Sequence, residues 1–127
     1  MSRYTLTITT SFAAAHSLRN YPGECSQLHG HNWKVVVEVT ATALDDIGMG
    51  VDFKVIRRAT DKVCERLDHC YLNELSPFDE INPTAENIAA YIYRTLGPEV
   101  NTATARVTAV TLWETERACV RYSEDGQ

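Results

Sequence analysis

The alternation of side chains near the start of the chain constrains the fold more than any other feature of the sequence. Threonine recurs at alternate positions in the first part of the segment over 4–16. The even-numbered residues of this segment share one face: Tyr4, Leu6, Ile8, Thr10, Phe12, Ala14 and His16. A period of two is typical of a strand with one face buried. The sequence therefore predicts a long strand over 4–16, and His16 is the last side chain on that face.

A second alternating segment follows a loop over 17–28 that contains Pro22-Gly23. It predicts a strand over 29–43, and one face of this strand carries His29, His31, Trp33, Val35, Val37 and Val39. Consecutive strands with a short connection are usually antiparallel neighbours. The end of the first strand then lies beside the start of the second, which places His16 next to His29 and His31.

Two amphipathic helices are predicted in the middle of the chain. Asp52 is suited to cap the first helix, which ends before Asp68. Its apolar positions recur at helical spacing: Ile56, Ala59, Val63 and Leu67. Asn82-Pro83-Thr84 opens the second helix, and Gly97-Pro98 is expected to stop it. The buried face of the second helix is predicted to carry Ile88, Ala89, Ile92 and Leu96.

Two further strands are predicted over 105–113 and 118–122, so the element order is ββααββ. We expect a single α+β domain spanning 1–127, with a four-stranded, mainly antiparallel sheet covered on one face by the two helices. The open edges of such a sheet would carry long strands that are rich in valine and threonine and poor in charge. Proteins usually pair or cover such edges, and we therefore expect an oligomer.

The charge of the chain argues against two classes of partner. Its net charge is -5 and its pI is near 5.3, whereas proteins dedicated to nucleic acids or anionic membranes usually have basic surfaces. The first residues alternate in polarity instead of forming a continuous apolar segment, so we expect a cytoplasmic protein. The cysteines form no CxxC pair and are expected to be free thiols, with Cys64, Cys70 and Cys119 as small buried residues.

The expected convergence of His16, His29 and His31 indicates a metal site. Residues i and i+2 on a strand point the same way, and Gly30 between the two histidines allows close backbone packing. Three imidazoles with a fourth position open to water or substrate are typical of catalytic zinc. Two alternatives stay open: Cys25 could close a structural four-ligand site, or the imidazoles could be histidines satisfied by hydrogen bonds.

Five other side chains are candidates for catalysis or binding. Cys25, His69 and Asp68 could form a relay in which a carboxylate orients an imidazole that polarises a thiol. Glu114, at the end of the third long strand, is either an exposed rim charge or a ligand anchor. Glu86 lies in the first turn of a helix, where the helix dipole already favours an acidic residue.

Six motifs together resemble the 6-pyruvoyl-tetrahydropterin synthase family. They are FAAAH ending at His16, C-x3-HGH over 25–31, VDF over 51–53, LDH over 67–69 followed by YLN, NPTAEN over 82–87, and WET over 113–115. The resemblance implies a tunnelling fold, in which three subunits close a β-barrel and two trimers stack as a homohexamer. The active sites of such a hexamer lie between subunits.

The resemblance also implies a role for each candidate residue. The zinc ligands would be His16, His29 and His31, and the catalytic residues would be Cys25, His69 and Asp68. The pterin would be anchored by Glu114, with Thr84 and Glu86 completing the pocket.

The spacing of Cys25 and His29, with three residues between them, resembles the bacterial 6-carboxy branch of the family. That branch implies conversion of 7,8-dihydroneopterin triphosphate to 6-carboxy-5,6,7,8-tetrahydropterin, acetaldehyde and triphosphate, a step of queuosine biosynthesis. The alternative within the family is the pyruvoyl reaction, which eliminates triphosphate without releasing acetaldehyde. Arg19 and Lys34 are candidates to face the triphosphate, although either could be a solvated surface charge.

Two other classes of function stay open from the residues alone. A zinc-stabilised oligomeric scaffold would use Cys25 to close the metal site, and chelation would then unfold it. A metal-free hydrolase with a Cys-His-Asp arrangement would stay active after zinc removal.

Overall fold

The computed structural model describes residues 2–23 and 26–124. Its elements are β1 (Tyr4–His16), β2 (His29–Ala41), α1 (Phe53–Leu67), β3 (Cys70–Tyr71), α2 (Ala85–Val100), β4 (Ala105–Thr115) and β5 (Ala118–Tyr122), with a 3-10 turn over Leu72–Glu74. The α+β class and the two helices are confirmed. Within the described residues, no helix is long and apolar enough to traverse a lipid bilayer.

Among the described residues the sheet has five strands in the order β3-β1-β2-β4-β5, so the predicted count of four is wrong, although the four predicted strands are present and pair antiparallel. The short strand β3 pairs with β1 in parallel, at Ala14 and Ala15, whereas the other neighbouring strands are antiparallel. Two residues are too few to show a period of two, which is why β3 was not predicted. The remainder of the outer edge of β1 has no strand partner in the described part of the chain.

The hairpin of β1 and β2 pairs without a break from Tyr4 opposite Ala41 to His16 opposite His29. Alternate side chains of both strands enter the core, and Trp33, Val35 and Val37 are fully buried. The buried faces of α1 and α2 pack on this side of the sheet. The hydrophobic core therefore lies between the sheet and the helices, and the histidine ends of β1 and β2 lie at one end of it.

The first helix follows its predicted bounds. The Asp52 carboxylate accepts a hydrogen bond from the Lys54 N–H at 2.8 Å, and α1 ends at Leu67. This cap satisfies one of the amide groups that a helix start leaves without an internal partner.

The second helix does not stop at Gly97-Pro98, as the sequence predicted, but continues to Val100. A proline in the last turn removes only one helical hydrogen bond. Burial of Leu96 and Val100 in the core offsets that loss, since the two side chains are 0% and 2% exposed. Asn101 caps the end of the helix, and its N–H donates to the Gly97 carbonyl at 2.9 Å.

Gly50 lies where the loop after β2 crosses the end of that strand. A Cβ atom added at Gly50 would lie 2.6 Å from the Cβ of Ala41, which is fully buried. Gly50→Ala should therefore lower the free energy of unfolding by about 1–3 kcal/mol, as overpacking usually does. Urea unfolding measures this change. The double variant Gly50→Ala/Ala41→Gly should recover part of the loss, and purely additive effects would contradict the proposed clash.

Candidate metal centre

Three histidines meet at the end of the β1–β2 hairpin. His16 lies directly opposite His29 in the ladder, and His31 lies opposite Ala14 on the same face. The ring centroid of His16 lies 4.5 Å from that of His29 and 5.2 Å from that of His31. The centroids of His29 and His31 are 4.9 Å apart. One nitrogen from each ring lies within 4.8 Å of the other two. The predicted convergence of these side chains is present in the structure.

Backbone carbonyls orient two of the three rings. Nδ1–H of His16 donates to the Pro83 carbonyl at 2.7 Å, and Nδ1–H of His29 donates to the Gln27 carbonyl at 2.8 Å. Each ring then presents its Nε2 lone pair, because a neutral imidazole has one donor and one acceptor nitrogen. Carbonyl partners of this kind commonly orient metal-ligating histidines.

Two ring nitrogens of the histidine cluster require a hydrogen-bond donor or a cation. Among the described residues, Nε2 of His16 and Nε2 of His31 are buried without a hydrogen-bond partner. A buried polar atom without a partner costs roughly 1–3 kcal/mol. A divalent ion bound by the imidazoles would satisfy these atoms, so the residues fit a metal, and an all-imidazole donor set suits zinc.

Burial favours the neutral form of His16 and His31. Desolvation lowers the pKa of His16 from its ordinary value, although its hydrogen bond to the Pro83 carbonyl acts in the opposite direction. Desolvation also lowers the pKa of His31, against the nearby charge of Glu114. The fully buried Trp33 ring contributes to this apolar surrounding, since its centroid is 5.0 Å from that of His16 and 5.2 Å from that of His31. Protons therefore compete less with a metal for these nitrogens.

Glu114 faces the histidine cluster from the end of β4. Its Oε2 lies 3.6 Å from Nε2 of His16 and 3.9 Å from Nε2 of His31, and about a third of its side chain is exposed at 34%. The carboxylate also lines a cavity of about 260 Å³ together with Thr84 and Glu86. The structure thus brings together the three residues predicted to bind substrate and sets Glu114 between this cavity and the metal centre.

Thr84 and Glu86 enter this cavity from the start of α2. The Thr84 hydroxyl caps the helix, accepting a hydrogen bond from the Asn87 N–H at 3.1 Å. Glu86 is exposed in the first turn, where the helix dipole favours its charge. Glu86 therefore lies in the first turn of the helix, as the sequence predicted, and also on the wall of the cavity that holds Glu114.

Asp68 and His69 form a pair at the start of β3. Asp68 accepts hydrogen bonds from the Ala13 N–H at 2.8 Å and from Nδ1–H of His69 at 2.7 Å. The Ala13 bond and then the His69 bond lower the pKa of the Asp68 carboxyl. His69 has a positive φ of 56° and its side chain is 82% exposed. The pair is formed as predicted, with the imidazole directed to solvent.

His69 borders a cavity whose strand residues lie mainly on the face of the sheet opposite the core. His69 borders a second cavity, of about 470 Å³, with Ala13, Ala15, Gly30 and Asn32. Those four positions alternate with His16 and His31, so their side chains lie on the face opposite the core, although His31 also borders this cavity. No hydrogen bond or ion pair joins His69 to His16, His29 or His31 among the described residues. The relay partner Cys25 lies outside the described residues.

Arg19 and Lys34, the two candidates to face the triphosphate, make different contacts in the structure. Nη2 of Arg19 donates to the carbonyls of Phe78 and Ile81, at 2.8 and 2.7 Å, so this guanidinium supports a loop. Nζ of Lys34 lies 5.8 Å from the centroid of the Trp113 ring. Lys34 is therefore the more available of the two for an anion.

The cysteines differ more than the sequence predicted. Cys64, Cys70 and Cys119 are free thiols as expected, and Cys64 is buried, which raises the pKa of its thiol to about 12. Cys70 is only half-buried, and Cys119 is exposed and lines the cavity with Glu114, so burial was wrongly predicted for both. The five-residue strand β5, which contains Cys119, lies at the edge of the sheet and buries little side-chain area. The sequence alone does not reveal which face of this strand borders a cavity.

Comparison with known proteins identifies the family of the chain. The family model described as 6-pyruvoyl tetrahydropterin synthase matches residues 5–125. A protein named 6-carboxy-5,6,7,8-tetrahydropterin synthase from Synechocystis sp. is 38% identical over 91 residues, covering 68% of this chain and 69% of its own length. A protein of the same name from Bacillus subtilis is 32% identical over 109 residues, covering 82% and 73%.

A solved structure extends the likeness to nearly the whole fold. The structure of the Caenorhabditis elegans 6-pyruvoyl tetrahydropterin synthase superposes with a TM-score of 0.87 at 25% identity, covering 98% of both chains. The fold of this chain is thus that of a known class of pterin enzymes. The chain is a member of the 6-pyruvoyl tetrahydropterin synthase family.

Removing bound zinc with a chelator should lower the melting temperature without unfolding the chain, because the core between the sheet and the helices does not contain the metal. Zinc at about 100 times its dissociation constant should stabilise the fold by about 2.7 kcal/mol. Circular dichroism and thermal melts before and after chelation measure both effects. His31→Ala should abolish the zinc-dependent shift. Loss of secondary structure on chelation would indicate a structural site instead.

Proposed function

We propose that the chain is a zinc-dependent lyase that converts 7,8-dihydroneopterin triphosphate to 6-carboxy-5,6,7,8-tetrahydropterin, acetaldehyde and triphosphate. The observation that carries the proposal is the position of Glu114, within 4 Å of two imidazoles of the metal centre and on the wall of a cavity. The names of the relatives from Synechocystis sp. and Bacillus subtilis support the carboxy reaction. Queuosine biosynthesis is the pathway we propose for it.

Glu114 is suited to orient the pterin ring. A carboxylate accepts two parallel hydrogen bonds, and the pterin offers a matching pair in its 2-amino group and the adjacent ring N–H. Charge-assisted pairs of this geometry fix direction as well as position. With the ring on Glu114, the three-carbon side chain of the substrate is directed toward His16 and His31. Thr84 and Glu86 complete the wall of the same cavity.

The metal, when held by His16, His29 and His31, would supply Lewis acid chemistry that makes carbon-bound protons beside the side-chain oxygens more acidic. We propose Cys25 as the thiolate base that removes such a proton. Loss of triphosphate follows, and the dihydropterin ring accepts the electrons internally. Addition of water across the bond between the two side-chain carbonyl carbons then releases acetaldehyde and leaves the carboxylate.

Asp68 and His69 are suited to proton transfer in these steps. The carboxylate of Asp68 is fixed by the Ala13 N–H and in turn orients the exposed His69 imidazole. Since His69 is exposed and borders a cavity mainly on the outer face of the sheet, we propose that it serves the site of a neighbouring subunit. The part of the outer edge of β1 that has no strand partner among the described residues gives a place for such a neighbour, in a homohexamer built as a dimer of trimers.

Other expectations from the sequence stand beside this proposal. A single domain over 1–127, a cytoplasmic location and the absence of nucleic-acid and membrane partners stay predictions. The metal-free hydrolase has less support, because it gives no role to Nε2 of His16 and Nε2 of His31, which are buried without a hydrogen-bond partner among the described residues.

The pyruvoyl reaction is the second candidate, and one observation favours it. The Caenorhabditis elegans structure that matches 98% of this chain is a 6-pyruvoyl tetrahydropterin synthase. The two reactions share the elimination of triphosphate and differ in the cleavage of the carbon–carbon bond, so acetaldehyde distinguishes them.

The zinc-loaded protein, incubated without oxygen with 7,8-dihydroneopterin triphosphate, should release acetaldehyde and triphosphate in equal amounts. Mass spectrometry should show a carboxy-tetrahydropterin. Cys25→Ala should keep zinc and lose about 10²- to 10⁴-fold in rate, because it lacks the proposed base. Triphosphate without acetaldehyde would assign the pyruvoyl reaction, and no turnover would favour the scaffold.

Mixed oligomers test whether His69 acts across a subunit boundary. Cys25→Ala and His69→Ala should each be inactive alone, whereas co-expressed subunits should recover about one quarter of wild-type activity if each site takes one residue from each of two chains. Separately purified and unexchanged proteins are the control. Absence of recovery in proven mixed oligomers would place both residues in the site of one subunit.

A further inference from the structure

The Pro83 carbonyl is the group that fixes the ring of His16. It accepts the Nδ1–H of His16 at 2.7 Å, and His16 is the most buried of the three histidines, with 0% of its surface exposed. A rotation of this carbonyl would turn the imidazole and move its Nε2 away from the other two rings. The Pro83 carbonyl therefore sets the orientation of one of the three imidazoles.

Asn87 holds the chain on both sides of Pro83. Its backbone N–H donates to the Thr84 hydroxyl at 3.1 Å, and its side-chain Nδ2–H donates to the Asn82 carbonyl at 2.9 Å. Pro83 itself has no N–H and offers only its carbonyl for hydrogen bonding. The residues before and after Pro83 are thus both tied to Asn87, which lies in the first turn of α2.

Asn82 connects this segment to the chain that leaves His16. Its Oδ1 accepts the Arg19 N–H at 2.8 Å, and its Nδ2–H donates to the Arg19 carbonyl at 2.9 Å. Asn73 makes the same double hydrogen bond with Ser17, at 2.9 and 2.8 Å. These contacts close a ring from His16 through Arg19, Asn82 and Pro83 back to His16.

We propose that Asn87 is a positioning residue for the metal centre, which holds the Pro83 carbonyl in place so that His16 presents Nε2 to the ion. The inference rests on the proposed metal site. Among the described residues, no hydrogen bond joins Asn87 to the histidines. It acts through a backbone carbonyl, as the outer partners of metal-ligating histidines commonly do.

A role in helix stability alone predicts a different result. Alanine has a higher intrinsic helix propensity than asparagine, and Asn87→Ala keeps the backbone N–H that donates to Thr84. The substitution therefore removes the bond to the Asn82 carbonyl and leaves the cap of α2 intact. Asn87→Asp also removes that donor, but it keeps the size and shape of the side chain.

Asn101 supplies a matched control at the other end of α2. Its side-chain Oδ1 accepts the Val107 N–H at 2.8 Å, so Asn101→Ala also removes one asparagine hydrogen bond to the backbone. Asn101 has no bond to Pro83 or to its neighbours. A general loss of stability should affect this variant as much as the Asn87 variants.

The test measures binding of Co²⁺ and Zn²⁺ to the full chain, by the visible absorption of Co²⁺ and by competition with a chelator for Zn²⁺. Asn87→Ala and Asn87→Asp should weaken Zn²⁺ binding about tenfold, within the range for outer partners of metal ligands. They should also shift the visible bands of bound Co²⁺. Asn101→Ala should bind Zn²⁺ within about twofold of wild type, with an unchanged Co²⁺ spectrum.

The outcomes separate this inference from the proposed function. If wild type binds Zn²⁺ and both Asn87 variants match it in affinity and Co²⁺ spectrum, the positioning role is wrong and the metal site stands. If Asn101→Ala weakens binding equally, the effect is global and the inference is also wrong. If wild type binds no metal, the proposed function fails first. Melting of the metal-free variants identifies any that are unfolded, and Asn87→Asp replaces Asn87→Ala if the latter does not fold.

Discussion

The pairing register of β1 and β2 is the constraint on which the site depends. Because His16 lies opposite His29, and His31 lies one step along the same face, the imidazoles meet at the end of the hairpin. A slip by one residue would turn a whole strand over and send its histidines to the other face. Burial of Trp33, Val35 and Val37 prevents that slip, since the same register places these side chains in the core. Core packing and metal-site geometry are thus fixed by one interaction.

The segment over 82–87 gives this hairpin its second support. It caps α2 through Thr84, orients His16 through the Pro83 carbonyl, and sets Glu86 on the wall of the cavity that holds Glu114. A single turn of chain thereby joins the helix layer to the metal centre. The Asp68–His69 pair is held separately, by the Ala13 N–H on the outer side of β1. The division of the proposed site between two faces follows from this arrangement.

Much of this architecture was predictable from residue patterns, and the exceptions have physical reasons. The period of two over Tyr4–His16 and the Asp52 cap were sufficient to predict β1 and α1. In contrast, β3 is too short to have a period, and α2 continues through Pro98 because burial of Val100 is a tertiary effect. The Pro83 carbonyl was not predictable, because every residue has a backbone acceptor and its partner depends on the fold.

The central claim is that the metal centre is an open site of three imidazoles. X-ray absorption spectroscopy of the zinc-loaded protein tests it most directly, because sulfur and nitrogen ligands lie at different distances from zinc. We predict nitrogen scatterers at about 2.0 Å that fit three imidazoles, with oxygen in the remaining position. A sulfur scatterer at about 2.3 Å would contradict the claim, since Cys25 would then be a ligand that closes the site rather than a free base.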